Sequence, residues 1–344
     1  MVSATSRDSY VPGMRWLVGA LAVCVLLVVA TPAAADYVRV AQVRPDDDVA
    51  VAGGAVAVGA TPAGDSSTLS LYGLDGSVRA IALPDPAGFI EELPASASAL
   101  ATITLPLGGG QQIGYYGALG GPLRRLPRTL IDVAVTGDTV VSLHRRARER
   151  GRLELHDVRT GTLRRIDLAG KHVAIVTAAG RYAAYAVQFA SPRETTIVVD
   201  LTTGRERYRV RTPRGSSAYG LAPDGRLWFV VRNRRSGRIL TATRSRPHPR
   251  TVARMRAHPY ELAVTPGEIA VARDAGPGRS QVVLIRPDGD VRAVTPSLPP
   301  IEALSYDGTT LAFGTGTCVF AGPPSAGAPS PLALDGCESA TAPG

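Results

Sequence analysis

The chain has 344 residues, is 45% hydrophobic but only 5% aromatic, and carries a formal charge of +9. Charged residues make up 19%, beside 37 glycines and 27 prolines, so the chain is neither a charge-rich disordered polymer nor a collagen. Its length suits one large all-β domain or about two ordinary domains. Lys171 is the single lysine among 38 basic residues, so the positive charge is almost wholly arginine.

Residues 1–35 read as an export signal. Arg7 and Arg15 precede an uncharged run over 16–30, and Ala33 and Ala35 stand before Asp36 in the small-x-small cleavage pattern. That run rises about 22 Å as a helix, short of the ~30 Å hydrocarbon core of a bilayer. An uncleaved anchor is the alternative. Val23 is a poor residue before a lipid-bearing Cys24, which argues against a lipoprotein signal. No later run is long and apolar enough to span a bilayer. The mature chain is therefore expected outside the cytoplasm, secreted or in the cell envelope. There Cys318 and Cys337 make an even pair. A disulfide between them closes a loop of about 20 residues and contributes ~3 kcal/mol in the loop-entropy model.

From residue 36 onward one pattern repeats. A short apolar run, a polar turn and an arginine-bearing run follow one another at 69–81, 153–166, 197–207 and 283–294. The turns fall at Gly76, Gly121, Gly161, Gly204, Pro247, Gly289 and Gly327, roughly 42 residues apart, the length of a four-stranded propeller blade. A second series, at Gly54, Ser98, Gly137, Gly180, Gly225, Gly267 and Gly308, keeps the same period. Asp-Gly between short β-branched runs marks a tight hairpin, because glycine accepts the positive φ such turns need. Two series with one period predict a single all-β domain over 36–344. It is a β-propeller of seven four-stranded blades. Blades 2 and 7 carry the weakest copies, so six or eight blades are the alternatives.

The clearest copies are Leu221-Ala222-Pro223-Asp224-Gly225-Arg226-Leu227-Trp228-Phe229-Val230 and Leu304-Ser305-Tyr306-Asp307-Gly308-Thr309-Thr310-Leu311-Ala312-Phe313. They resemble the Ser-Pro-Asp-Gly signature of bacterial WD-repeat-like and TolB-type β-propellers. The likeness extends as a period over the whole mature chain, while the motif itself is good in two or three blades. Ala222 stands for the serine in one copy and Tyr306 for the proline in the other. The Gly-His and Trp-Asp punctuation of eukaryotic WD repeats is missing. The resemblance implies an exported propeller of a broad class rather than a subfamily.

Three residues beyond each outer turn stand Arg79, Arg124, Arg164, Arg207, Arg250 and Arg292, but Ser330 in the last unit. The mature N-terminus, Asp36-Tyr37-Val38-Arg39, aligns with Gly76-Ser77-Val78-Arg79. Residues 36–43 are thus expected to supply the outer strand of blade 7 and close the ring, which removes exposed edges. The Cys318–Cys337 pair would lock the C-terminal segment to the same blade. Residues 330–334 could be a fourth or a fifth strand. The arginine series reads as edge protection or as a belt for an anionic partner.

The links from second to third strands share one face with the blade-to-blade links. Arg145, Arg146, Arg148, Arg193, Arg234 and Arg235 gather there on blades 3 to 5, and Arg273 and Arg279 on blade 6. With His172 and His258 they make a candidate binding face. Arginine forks suit carboxylates and phosphates. The expected role is a binding or scaffold module for a protein or an anionic envelope polymer. Solvated loops are the plain alternative. Nucleic acid is disfavoured because these loops lack aromatic stacking residues. The other class is an exported lyase or hydrolase acting at the central funnel, with His144, His172 and His258 converging. No His-x-His spacing supports a metal there. Glycoside chemistry would need a facing carboxyl pair, and Asp85, Glu91 and Glu92 are the acidic cluster of the blade 1–2 link. No catalytic residue, metal or cofactor is assigned, and a monomer is expected.

Overall fold

The computed structural model describes residues 37–42, 48–60, 67–84, 88–106, 110–146, 150–168, 173–188, 194–233, 236–324 and 334–337. The export signal over 1–35 lies outside them, as do Gly327 and Ser330. One compact unit spans Ala34–Gly344. Its strands form seven four-stranded antiparallel sheets.

Blade 1 is β2 (Val49–Ala52), β3 (Ala55–Ala60), β4 (Thr68–Gly73) and β5 (Val78–Ile81). Blade 2 is β6 (Phe89–Glu92), β7 (Ala99–Leu105), β8 (Ile113–Ala118) and β9 (Arg124–Arg125). Blade 3 is β10 (Leu130–Thr136), β11 (Thr139–Arg145), β12 (Gly151–Asp157) and β13 (Leu163–Asp167). Blade 4 is β14 (Val173–Ala179), β15 (Tyr182–Gln188), β16 (Glu194–Asp200) and β17 (Glu206–Arg211). Blade 5 is β18 (Ser216–Leu221), β19 (Leu227–Asn233), β20 (Ser236–Thr243) and β21 (Arg246–Met255). Blade 6 is β22 (Pro259–Val264), β23 (Ile269–Gly276), β24 (Arg279–Ile285) and β25 (Val291–Ala293). Blade 7 is β26 (Ile301–Tyr306), β27 (Leu311–Thr315), β28 (Cys318–Gly322) and, on its outer edge, β1 (Val38–Gln42).

The expected closure is therefore present. The N-terminal strand pairs with the last one, Val38 opposite Ala321 and Gln42 opposite Cys318. Cys318 and Cys337 form a disulfide with Cα atoms 5.3 Å apart. Arg39 Nη1 donates to the Asp335 carbonyl at 2.8 Å, and the Thr317 hydroxyl to that of Gly336 at 3.3 Å. The segment 334–337 is thus tied to both partners of the closing strand pair.

First strands meet at five seams, β10 with β14, β14 with β18, β18 with β22, β22 with β26 and β26 with β2, so they line the axis. The apolar core divides into seven clusters, one at each seam between blades. Alternation along each strand sends apolar side chains to both faces of a sheet, and both faces are covered. Leu143, Leu153 and Leu155 face blade 4, whereas Val140 faces blade 2.

Most turns fall where the period places them. Gly76 (φ +84°) and Gly225 (φ +82°) take the left-handed conformation after their aspartates. Two turns are corrected. In blade 2 the left-handed residue is Gly120, one before Gly121. In blade 5 the turn is at 244–245, and Pro247 lies inside β21. A register shift there sets 247–249 between the paired Arg246 and Arg250, and an outermost edge tolerates proline because no ladder needs its N–H.

All seven arginines of the series stand on outermost strands, including Arg39 on β1. Their work is visible in two seams. Arg79 donates to the Gly120 carbonyl of blade 2, and Arg164 Nη1 to the Thr202 carbonyl of blade 4 at 2.8 Å. Each reaches forward to the outer turn of the next blade. Ser96 and Thr136 do the same from inner turns, to the Gly137 and Gly180 carbonyls at 2.7 and 3.1 Å.

Candidate functional site

Much of the arginine face is committed to neighbours. Arg145 ends β11 and is exposed. Arg146 shares the Asp167 carboxylate with Arg152, at 2.8 and 2.9 Å. Arg232 Nε donates to the Pro259 carbonyl at 3.1 Å and lies over the Tyr260 ring. Arg273 bonds Gln281 at 3.0 Å, and Arg279 bonds the Ser297 carbonyl. His258 precedes β22 with Nδ1 3.8 Å from Asp274 Oδ2. Arg148, Arg193, Arg234, Arg235 and His172 lie outside the described residues. His144 was expected in the blade 3 link, but it sits inside β11 paired with Arg152, and it is buried. The alternation of β11 continues through Arg145, which carries His144 into the seam rather than toward His258 in blade 6.

The axis carries the opposite charge. Innermost strands have one free edge, and its N–H groups need acceptors. Asp132 supplies two bonds: Oδ1 accepts Val133 N–H at 2.6 Å, and Oδ2 accepts Val176 N–H of blade 4 at 2.5 Å. Asp48, directly before β2, repeats this with Val49 N–H at 2.9 Å and with Leu93 N–H of blade 2. Ser305 Oγ takes Val51 N–H across the blade 7–1 seam at 2.9 Å. The Tyr260 hydroxyl takes Ile301 N–H across the 6–7 seam at 3.3 Å. β-Bulges near the start of β6, β10, β14, β18, β22 and β26 turn this end of each strand out of simple alternation.

Glu92, after the bulge of β6, donates to Asp132. Burial, that hydrogen bond and the charges of Asp132, Glu91 and Asp48 push the Glu92 carboxyl up to about 10, so it keeps its proton at neutral pH. Burial pushes Asp48 up to about 6 against its two N–H bonds. Burial, then the Asp48 charge, raises Glu261 on β22. Asp48, Glu92, Asp132 and Glu261 therefore form a crowded carboxyl set at the starts of innermost strands. Strand direction puts those starts on the face that carries Arg145. Glu91 and Glu92 belong to β6 rather than to a link, and Asp85 lies outside the described residues. The Glu92–Asp132 pair is closed on itself by a hydrogen bond, whereas glycoside hydrolysis needs about 5 Å or more between carboxyl groups.

A second polar group was not foreseen from the sequence. Ser142, His144, Glu154 and His156 turn toward blade 2, where the Tyr116 ring lies 4.5 Å from that of His156. His144 Nε2 is 2.8 Å from Ser142 Oγ, which is 3.2 Å from His156 Nε2. Glu154 Oε2 is 3.8 Å from His144 Nε2 and 3.9 Å from His156 Nε2. Arg165 Nε donates to Glu154 Oε1 at 2.9 Å. Burial lowers the His144 imidazole and takes His156 down to about 4, so both rings are neutral at pH 7. The available signal was Glu154-Leu155-His156, two polar residues on one face of an otherwise apolar strand.

The fold defines a seven-bladed β-propeller with a strand-exchange closure. No family model and no curated protein matches the sequence. Solved structures are similar in fold. The β-propeller domain of the Trilobed protease from Pyrococcus furiosus is similar with a TM-score of 0.58 and 10% identity, over 84% of this chain and 96% of that one. Puromycin hydrolase, as its S511A mutant, is similar with a TM-score of 0.54 and 15% identity, over 84% of this chain. The present chain spans 55% of that hydrolase. TolB from Acinetobacter baumannii aligns at a TM-score of 0.46, with 15% identity over 77% of this chain and 63% of that one, too loosely to carry an argument. At these identities the likeness concerns the fold alone.

Proposed function

We propose that the protein is an exported propeller that acts as a binding module. Its partner is a protein, held on the face where the blades are linked, with a basic side chain anchored among the axial carboxyls. The observation that carries this reading is the crowding of Asp48, Glu92, Asp132 and Glu261. Burial holds all four of these carboxyls above their ordinary range, and repulsion from neighbouring carboxylates adds to this at Glu92, Asp132 and Glu261. A cation placed among them relieves that repulsion, so binding and proton release are linked. Arg145 on the same face offers a contact for an acidic group of the partner. Export is supported by the signal-like 1–35 segment and by the disulfide, which persists in oxidising compartments.

The test is fluorescence anisotropy at low salt with two labelled probes, an arginine-rich peptide and heparin. The peptide is expected to bind, and to weaken as pH falls through about 6, where Asp48 takes up a proton. Glu261→Gln should weaken it about tenfold, equivalent to ~1.4 kcal/mol. Peptide binding unchanged by Glu261→Gln overturns the reading. So does heparin as the tighter probe, lost on Arg145→Glu, which would return the site to a polyanion.

A further inference from the structure

The seam between blades 2 and 3 holds two imidazoles and a carboxylate that face one another without closing hydrogen bonds among themselves. Glu154 Oε2 lies 3.8 and 3.9 Å from the two Nε2 atoms, beyond hydrogen-bond reach. Ligands on one tetrahedral zinc ion, each ~2.1 Å from it, stand about 3.4 Å apart. Each carboxylate–imidazole gap is therefore wide by roughly half an ångström, and the three ligand atoms all lie within 4.8 Å of one another. Ser142 Oγ, 2.8 and 3.2 Å from the same nitrogens, stands at the fourth corner.

The surroundings fit ligands more than chance neighbours. His144 Nδ1 is 3.2 Å from Thr129 Oγ1, a contact that fixes the ring and turns Nε2 inward. Metal-binding histidines are held in this way by their second nitrogen. Arg165 Nε donates to Glu154 Oε1, which leaves Oε2 for the ion. Glu154, His144 and His156 are nearly enclosed, with side chains 8%, 4% and 8% exposed, while that of Arg165 is 56% exposed and covers the outer side.

We propose that His144, His156 and Glu154, with Ser142 at the fourth corner, form a site for a divalent transition-metal ion of the zinc class. The site lies inside blade 3 and is separate from the axial carboxyls. Loaded, it would pin β11 to β12 against blade 2.

The test uses the full chain, stripped with EDTA and dialysed. The protein has five histidines. A background variant carrying His172→Gln, His248→Gln and His258→Gln leaves only the proposed pair. One equivalent of Co(II) should give the visible absorption of a tetrahedral ion in both parent and background variant, and Zn(II) should displace it. Glu154→Gln and His156→Gln should each weaken Zn(II) about tenfold or more in competition with a chromophoric chelator. Far-UV circular dichroism and the fluorescence of buried Trp228 in blade 5 report whether each variant folds. Zinc X-ray absorption on the loaded background variant should show imidazole in the first shell, and it decides the matter if a ligand variant fails to fold. No saturable binding by the parent, binding lost in the background variant, a shell without imidazole, or affinity unchanged in both folded ligand variants overturns the proposal.

Discussion

Asp132 is the carboxylate on which the inner ring depends most heavily, and removing it gives the sharpest test of the fold's logic. It is 6% exposed and accepts two backbone N–H groups, one from each side of the blade 3–4 seam, besides the Glu92 hydroxyl. A hydrogen bond to a charged group contributes ~1.5–3 kcal/mol, and a buried donor left alone costs ~1–3 kcal/mol. Asp132→Asn keeps one oxygen but turns an N–H₂ toward one of the donors. The expected loss is about 2–4 kcal/mol. Asp132→Ala leaves both N–H groups and the Glu92 hydroxyl without their acceptor, and about 3–6 kcal/mol should go. Guanidinium unfolding followed by Trp228 fluorescence and far-UV circular dichroism measures both. A loss below ~0.5 kcal/mol for Asn, the size seen at ordinary surface sites, would refute the assignment of Asp132 as an inter-blade tie.

Two further outcomes follow from the same structure. Glu92 has a folded-state pKa raised to about 10, so its favourable contribution is complete below ~4.5 and is lost as pH rises through about 10. Glu92→Gln keeps an N–H donor toward Asp132 and removes the titration. It should match the parent near pH 5 and become the more stable protein as pH climbs to 9. Equal pH slopes for the two proteins in thermal melts would contradict this. Cys318→Ser opens the loop that holds 334–337 on the closing blade and should cost about 3 kcal/mol. The parent treated with reductant should fall to the same stability, and a difference under ~1 kcal/mol between oxidised parent and variant would show that the strand pairing of β1 and β28 suffices.

The ring was legible because its signals are local and repeated. Gly76, Gly161, Gly204, Gly225 and Gly308 take the positive φ that tight turns require, and their spacing counts the blades. Closure was legible through one residue, Arg39, which stands in the same register as the other six outer arginines. The interior was read less well. Like the outer arginines, Asp48, Glu92 and Asp132 recur at roughly the blade period. Their pairing depends on bulges near the starts of β6 and β10, which shift the inner ends of these strands and leave no mark in composition. His144 was misplaced for a related reason. The arginine-rich run after it reads as loop, but β11 extends through Arg145 and turns His144 into the seam with blade 2.

Among the described residues, the outer-strand arginines lie at the blade edges, where Arg79 and Arg164 tie one blade to the next. The sequence by itself determined the blade period, most of the hairpin turns, the closing strand and the cysteine pair. Each is set by residues a few positions apart or by a constant period. Only the tertiary structure decided that acids crowd the axis and that two histidines meet a glutamate between blades 2 and 3. Those meetings bring together residues from different strands and different blades, and their charge states depend on burial that forms only when the seams close.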